Sequence, residues 1–142
     1  MKSFSILQNS EIMNALRNHH RQYLVGTLQN PQDLNHISDT EIEVGITSYQ
    51  EWAIEPTHFH TRNTEYMYML EGETKYLNLE TGEEHHFTQG DFFVIRKNIR
   101  YAQKSLPHTS LIFFKYPGGN DKVITELDEK TRSWLASWQA DI

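Results

Sequence analysis

Between about residues 41 and 116 the chain is written in strand grammar, and this pattern constrains its fold more than any other feature. Ile42, Val44 and Ile46 alternate with Glu41, Glu43, Gly45 and Thr47, so successive side chains would point to opposite faces of an extended segment. Comparable short runs follow at 52–60, 65–70, 74–79, 84–88, 92–96, 100–104 and 110–116. Polar or turn-forming clusters separate them, including Glu80-Thr81-Gly82-Glu83, Gln89-Gly90-Asp91 and Leu106-Pro107-His108. Many short strands in close succession, with no long helical pattern between them, predict an all-β antiparallel barrel or sandwich.

The flanks read differently. Ser10 and Glu11 before the apolar spacing Ile12, Met13 and Leu16 predict a short capped helix within an N-terminal extension, residues 1–39, outside the barrel. The polar stretch 29–36 predicts a surface loop. Strand grammar stops at Pro117-Gly118-Gly119-Asn120. Beyond it, Leu127, Thr131, Trp134, Leu135 and Trp138 share one face of a C-terminal amphipathic helix over about 125–139. That stripe suits packing on the outside of the barrel or a dimer contact, and the expected assembly is a homodimer. No linker divides the chain, so residues 1–142 are expected to form one domain with a barrel core at about 40–116.

Composition narrows the chemistry. A chain of 142 residues buries enough surface to hold a core without disulfides or a structural metal. With no cysteine, thiolate zinc sites, iron–sulfur clusters and cysteine nucleophiles are excluded, leaving histidine, carboxylate and tyrosine as metal donors. Thirteen basic against nineteen acidic side chains, with the basic ones scattered, argue against a nucleic-acid partner. No stretch approaches the roughly 20 apolar residues of a membrane span, and the expected location is cytoplasmic.

Eight histidines stand in this acidic chain. Two of them, His58 and His60, are one residue apart on a predicted strand and so face the same way. Glu65 follows five positions later, and a hairpin turn at 61–64 would reset the parity and bring it into the same interior from the neighbouring strand. Two imidazoles and one carboxylate with open positions suit Fe(II), Mn(II), Ni(II) or Zn(II). The bland alternative is a histidine pair that decorates the surface or hydrogen-bonds within a polar pocket. His85 and His86 alternate faces, His19 and His20 look superficial, and His108 sits at a loop tip. Arg62, Arg96 and Arg100 lie near the two segments and suit an anion or ordinary surface positions equally.

The segment PTHFHTRNTEYMYMLEG, residues 56–72, resembles the first motif of the cupin superfamily, with His58, His60, Glu65 and Gly72 in register. The segment 90–105 resembles the second motif in Gly90 and Asp91, then departs from it. Arg96 stands for proline, Asn98 for glycine, Tyr101 for the histidine ligand and Ser105 for asparagine, and Trp52 replaces the leading glycine of the first motif. The resemblance, over about residues 40–116, implies a single-domain jelly-roll barrel with a divalent metal ion inside its mouth. Asn98 is an easy replacement, because asparagine enters the left-handed turn region more readily than most residues. Tyr101 would be a fourth ligand or a general acid/base beside His58, His60 and Glu65, with His60 and Tyr101 as the expected catalytic pair. Failing that, it fills space and metal binding is weakened.

The leading expectation is a metal-dependent cupin enzyme acting on a small polar metabolite, leaning towards a sugar or nucleotide sugar, by isomerase, epimerase, lyase or dioxygenase chemistry. Trp52, Tyr66 and Tyr68 would stack on such a ligand. The alternatives are a metal-independent ketoisomerase-like enzyme in which the paired histidines move protons, and a barrel that holds a ligand without turnover. A carboxylate converging with both imidazoles favours metal; one held by other protein groups favours acid/base work.

Overall fold

The computed structural model describes residues 3–138. Helix α1 (Asn9–Asn18) precedes eleven strands: β1 (Arg21–Gly26), β2 (Ile37–Ser38), β3 (Glu43–Tyr49), β4 (Ala53–His60), β5 (Thr64–Glu71), β6 (Glu73–Asn78), β7 (Glu84–Thr88), β8 (Phe92–Ile95), β9 (Tyr101–Ser105), β10 (Thr109–Tyr116) and β11 (Lys122–Ile124). Helix α2 (Glu129–Leu135) closes the described chain. No helix among the described residues is long and apolar enough to cross a membrane.

Two sheets face each other. A six-stranded sheet runs β2-β1-β3-β10-β5-β8 and a five-stranded sheet runs β11-β4-β9-β6-β7. All pairings are antiparallel except β1 with β2, which is the geometry expected when adjacent strands are joined by tight turns. The strand boundaries at 41–116 fall within a few residues of those predicted. Four features differ.

First, the N-terminal extension is part of the six-stranded sheet: β1 pairs with β3 and carries Arg21 and Tyr23 towards the interior. Second, β4 and β5 are not a hairpin. They belong to opposite sheets, so the turn at 61–64 crosses the sandwich, and Glu65 meets the histidines across the interior. Third, the strands resume after Asn120, because β11 adds to the edge of β4 with Lys122 opposite His60. Fourth, the C-terminal helix is shorter than predicted. Asp128 caps it by accepting from the Thr131 N–H at 2.7 Å, Trp138 lies past its end, and residue 139 is outside the described residues.

Trp134 is fully buried with Leu135, Leu77 and Ala102, so it belongs to a core between α2 and the outer side of the five-stranded sheet. This corrects its candidacy as a dimer contact. Beneath it, the ammonium of Lys104 donates to the carbonyls of Trp134 and Ser137, and its burial is matched by these acceptors at the helix end.

Gly72 joins β5 to β6, passing the chain from one sheet to the other in one residue. Its φ of 82° is in the left-handed region, and a Cβ there would lie 2.5 Å from the Thr109 Cα. Both the backbone conformation and the close approach demand glycine. Gly72→Ala is expected to destabilise the fold by about 2–4 kcal/mol, combining backbone strain with overpacking, as read from the urea midpoint at unchanged m. A shift under about 0.5 kcal/mol would show that the crossing relaxes freely.

Candidate metal centre

β4 presents His58 and His60 on one face, β5 presents Glu65 from the opposite sheet, and β9 presents Tyr101 beside His58, its register partner. All four side chains are buried. Their polar atoms form a chain of short contacts. Tyr101 Oη lies 2.9 Å from His58 Nε2 and 3.1 Å from Glu65 Oε1, which lies 2.7 Å from His60 Nε2. One ligand atom from each of His58, His60 and Glu65 falls within 4.8 Å of the others.

The outward ring nitrogens orient both imidazoles. His58 Nδ1 is 2.5 Å from the Pro56 carbonyl, which can only accept, so this nitrogen carries the proton and Nε2 turns a lone pair inward. His60 Nδ1 is 2.7 Å from Asp121 Oδ1. Asp121 is itself fixed by the N–H groups of Arg62 and Asn63, at 2.7 and 2.8 Å, and by the Asn63 amide at 2.7 Å. The turn at Lys97-Asn98 docks on the same strand, with the Asn98 N–H donating to the His60 carbonyl at 2.7 Å and Asn98 at φ 66° in the left-handed region.

Electrostatics follow from these partners. Burial lowers the pKa of His58, keeping it neutral. Burial also opposes charge on His60, but Glu65 and Asp121 outweigh it and raise its pKa. Burial would raise the pKa of Glu65, yet the hydrogen bond and charge of His60 hold it below the usual carboxylate range. Burial, reinforced by Glu65, pushes the Tyr101 phenol well above its ordinary value. Two electron-rich atoms as close as His60 Nε2 and Glu65 Oε1 need a cation between them, either a proton or a metal ion.

The residues fit a metal ion. Donors about 2.1 Å from an ion and at right angles to one another lie about 3.0 Å apart, close to the observed spacings. Each candidate histidine also gives its other N–H to a carbonyl or carboxylate, as metal-bound imidazoles do. The donor set would be two imidazole nitrogens, one carboxylate and one phenol.

A cavity of about 370 Å³ opens over this cluster. Its walls add groups that the sequence reading did not single out. Arg21 is bound by Glu55, by Thr47 Oγ1 at 3.0 Å and by Tyr49 at 3.2 Å, while Tyr49 donates to Glu55 at 2.5 Å. Lys115 faces Glu43 at 3.5 Å. Lys122, in register with His60, stands at the rim with Gln29 and Asn30 from the predicted surface loop. Arg21 and Asp121 lie far from the histidine pair in sequence, and no local pattern marks them.

Other expectations change. Tyr66 and Tyr68 are on the outer side of β5 and Trp52 is outside the cavity, so none of them stacks on a ligand there; Tyr23, Tyr49, Tyr76 and Phe113 line it instead. His108 is exposed in the β9–β10 turn, His85 and His86 pair with Glu83 and Glu73, and His19 stacks on His20 at the surface. Arg62, Arg96 and Arg100 are exposed and outside this cavity, whose arginine is Arg21.

Residues 45–108 match the family model described as Cupin domain. No curated protein matches the sequence. Among solved structures, KdgF from Halomonas sp. is similar at 19% identity and TM-score 0.54, covering 71% of this chain and 80% of that one. The Streptomyces protein Pac13, a nucleoside dehydratase, is similar at 18% identity and TM-score 0.52, covering 61% and 70%. An RmlC-like cupin from Shewanella frigidimarina is similar at 21% identity and TM-score 0.51, covering 58% and 72%. At these identities the likeness speaks for the fold alone. With its match to the Cupin domain model over residues 45–108 and its two facing antiparallel sheets, the chain has an all-β, cupin-type jelly-roll fold.

Proposed function

We propose that this chain is a metal-dependent cupin enzyme that moves protons on a small polyhydroxylated metabolite, a sugar or nucleoside, in an isomerisation, epimerisation or elimination. The observation that carries the metal assignment is the orientation of the imidazoles: both outward N–H groups are engaged, both Nε2 atoms face inward, and Glu65 and Tyr101 converge with them. A bound divalent ion would supply Lewis-acid polarisation of a carbonyl or hydroxyl oxygen.

The chain's own groups do the rest. Tyr101 Oη, between His58 Nε2 and Glu65 Oε1, is positioned to pass a proton to or from a ligand in the cavity, with His58 as its exchange partner. The walls favour a neutral, hydroxyl-rich ligand, because the cations Arg21 and Lys115 already face Glu55 and Glu43.

Gln103, buried on β9, adds a specific contact. Thr74 gives its hydroxyl proton to the Lys104 carbonyl and Ser105 gives its own to Thr74, so both oxygens can only accept from the Gln103 amide N–H₂. The amide orientation is thereby set, and Gln103, whose side chain lines the cavity, keeps Oε1 as a buried acceptor without a partner. Pac13, with the same fold, is a nucleoside dehydratase and has been solved with uridine, which agrees with a ligand of this class.

One observation favours metal-free acid/base chemistry: Glu65 Oε1 already has two protein partners, His60 and Tyr101. Metal content of untagged protein separates the readings. Mass spectrometry after supply of Fe(II), Mn(II), Ni(II) and Zn(II) in turn is expected to find about one equivalent with at least one of them, and little in His60→Ala. Less than about a tenth of an equivalent throughout would overturn the metal assignment. Tyr101→Phe reports whether the phenol is a ligand, by losing metal, or a proton donor, by keeping it.

A further inference from the structure

Tyr76 and Tyr101 line the cavity over the candidate metal centre, and both also line a second cavity of about 420 Å³ that includes none of His58, His60 and Glu65. It forms where the two sheets end. β7 is the edge of the five-stranded sheet and β8 the edge of the six-stranded one, joined through the turn at 89–91. Strand alternation sends His85 and Phe87 inward from β7, opposite Tyr76 and Thr74, and Phe93 and Ile95 inward from β8, opposite Met67 and Glu65. Ile99, from the β8–β9 connection, completes the apolar part of the lining, and the exposed Arg96 carries it to the surface.

The two cavities differ in chemistry. The first has ion pairs in its walls, Arg21 with Glu55 and Lys115 with Glu43. Among the described residues, no carboxylate lines the second. Phe87 lies parallel to Phe93, with ring centroids 3.7 Å and planes 2° apart, and Tyr76 meets both edge-on at 6.0 and 5.1 Å. A face-to-face sandwich is the less favoured aromatic pairing, so a planar ring seated beside Phe87 and Phe93 adds the offset and edge contacts that they lack with each other.

The polar groups of this lining point to an anion. Asn78 Oδ1 already accepts from the Glu80 and Thr81 N–H groups at 2.9 and 3.3 Å, which leaves its N–H₂ to donate. The carboxylates nearby are taken, Glu83 by His85 and Glu80 by Arg100, and among the described residues none pairs with Arg96. The Arg96 guanidinium is therefore a planar fork of donors without an acceptor, at the border of an aromatic cavity.

We propose that this second cavity binds a planar aromatic carboxylate, its ring among Phe87, Phe93 and Tyr76 and its carboxylate held by Arg96 with the Asn78 N–H₂. The volume is within the range of small-ligand sites. One cation in an otherwise apolar lining suits the single charge of a carboxylate better than the double charge of a phosphate ester. The site does not depend on the metal assignment, because Tyr101 is the one residue it shares with the candidate ligands.

The probe is naphthoate, with naphthylmethanol as its uncharged counterpart, each titrated calorimetrically into the full chain. Naphthoate is expected to bind one to one with a dissociation constant under about 1 mM, and the alcohol about tenfold more weakly. Arg96→Met, at an exposed position, is expected to weaken naphthoate about tenfold and to leave the alcohol unchanged. Ile99→Trp fills the cavity and is expected to exclude both, with circular dichroism confirming the fold. No binding at about 5 mM naphthoate overturns the proposal, as does an affinity that Arg96→Met leaves unchanged. Binding lost in Lys122→Met and kept in Arg96→Met would place the probe in the metal-facing cavity and overturn it equally. An alcohol that binds as tightly as the acid would overturn the recognition of a carboxylate.

Discussion

Replacing Glu65 with glutamine is expected to weaken divalent-metal binding more than about 100-fold, whereas Asp121→Asn should weaken it by about 10–100-fold. The difference follows from position. Among the four converging groups Glu65 is the only anion: burial lowers the pKa of His58, burial keeps the Tyr101 phenol protonated in the metal-free protein, and Glu65 and Asp121 raise the pKa of His60. Glutamine keeps the shape and removes the charge. Asp121 stands one step back, orienting His60 through Nδ1 at 2.7 Å and tying it to the N–H groups of Arg62 and Asn63. An asparagine there would turn its own N–H₂ against some of those donors, loosening His60 without removing a ligand. Calorimetric titration of Zn(II) or Mn(II) into metal-stripped protein, with circular dichroism to confirm the fold, measures both. Equal affinity in wild type and Glu65→Gln would remove Glu65 from the donor set. An effect of Asp121→Asn as large as that of Glu65→Gln would mean that the loop at 119–121, not the ligand set, governs the site.

The contrast between these two residues also explains what was legible in the sequence. His58 and His60 could be found because strand periodicity is strict: two residues apart means one face, and no turn intervenes. Glu65 and Tyr101 were reached by motif spacing, and register sets Glu65 opposite Ile95 and Lys115 and Tyr101 opposite His58, although β4 and β9 shift register between Glu55 and His58. Asp121 and Arg21 are single residues on segments that pair at the edges, β11 with β4 and β1 with β3, and nothing in their local sequence announces the pairing. Periodicity was also silent about direction. Ile42, Val44 and Ile46 alternate cleanly, and the expectation that the apolar set faces the core is the ordinary one. Along β3 the inward side chains serve the cavity, so Val44 and Ile46 face out while Glu43 and Thr47 line it, whereas Met67, Leu111 and Phe113 on the neighbouring strands keep the ordinary inward apolar sense. Trp134 shows a different ambiguity: a stripe that suited either packing on the barrel or a dimer contact packs on the barrel, against Leu77 and the small Ala102 of β9.

Replacing Glu55 with glutamine is expected to cost about 3–5 kcal/mol at neutral pH, because it leaves the part-buried Arg21 guanidinium without its counter-ion. The pair sits in the cavity wall, with side chains 24% and 16% exposed, and is braced by Tyr49 and Thr47. Burial would raise the Glu55 pKa, but Arg21 outweighs it and holds the carboxylate at about 2, below its ordinary 4.5. A depressed folded-state pKa means that the pair's contribution is complete above about 4.5 and is lost as pH falls through about 2. The shift corresponds to about 3 kcal/mol, so wild-type stability should drop by that order between about pH 5 and pH 2, and Glu55→Gln should show a correspondingly flatter acid limb in urea titrations at stepped pH. Parallel acid limbs would mean that Glu55 is not the group titrating. The variant also tests the reading of the cavity. While Glu55 holds Arg21, the wall is electrically balanced and suits neutral hydroxyl-rich ligands. Freed of Glu55, the Arg21 fork becomes an oxyanion site, and the variant is expected to gain a melting-temperature rise with inorganic phosphate that the wild type lacks. If the wild type responds to phosphate equally, Arg21 is already available to anions, and the substrate class shifts from a neutral sugar or nucleoside to its phosphorylated form.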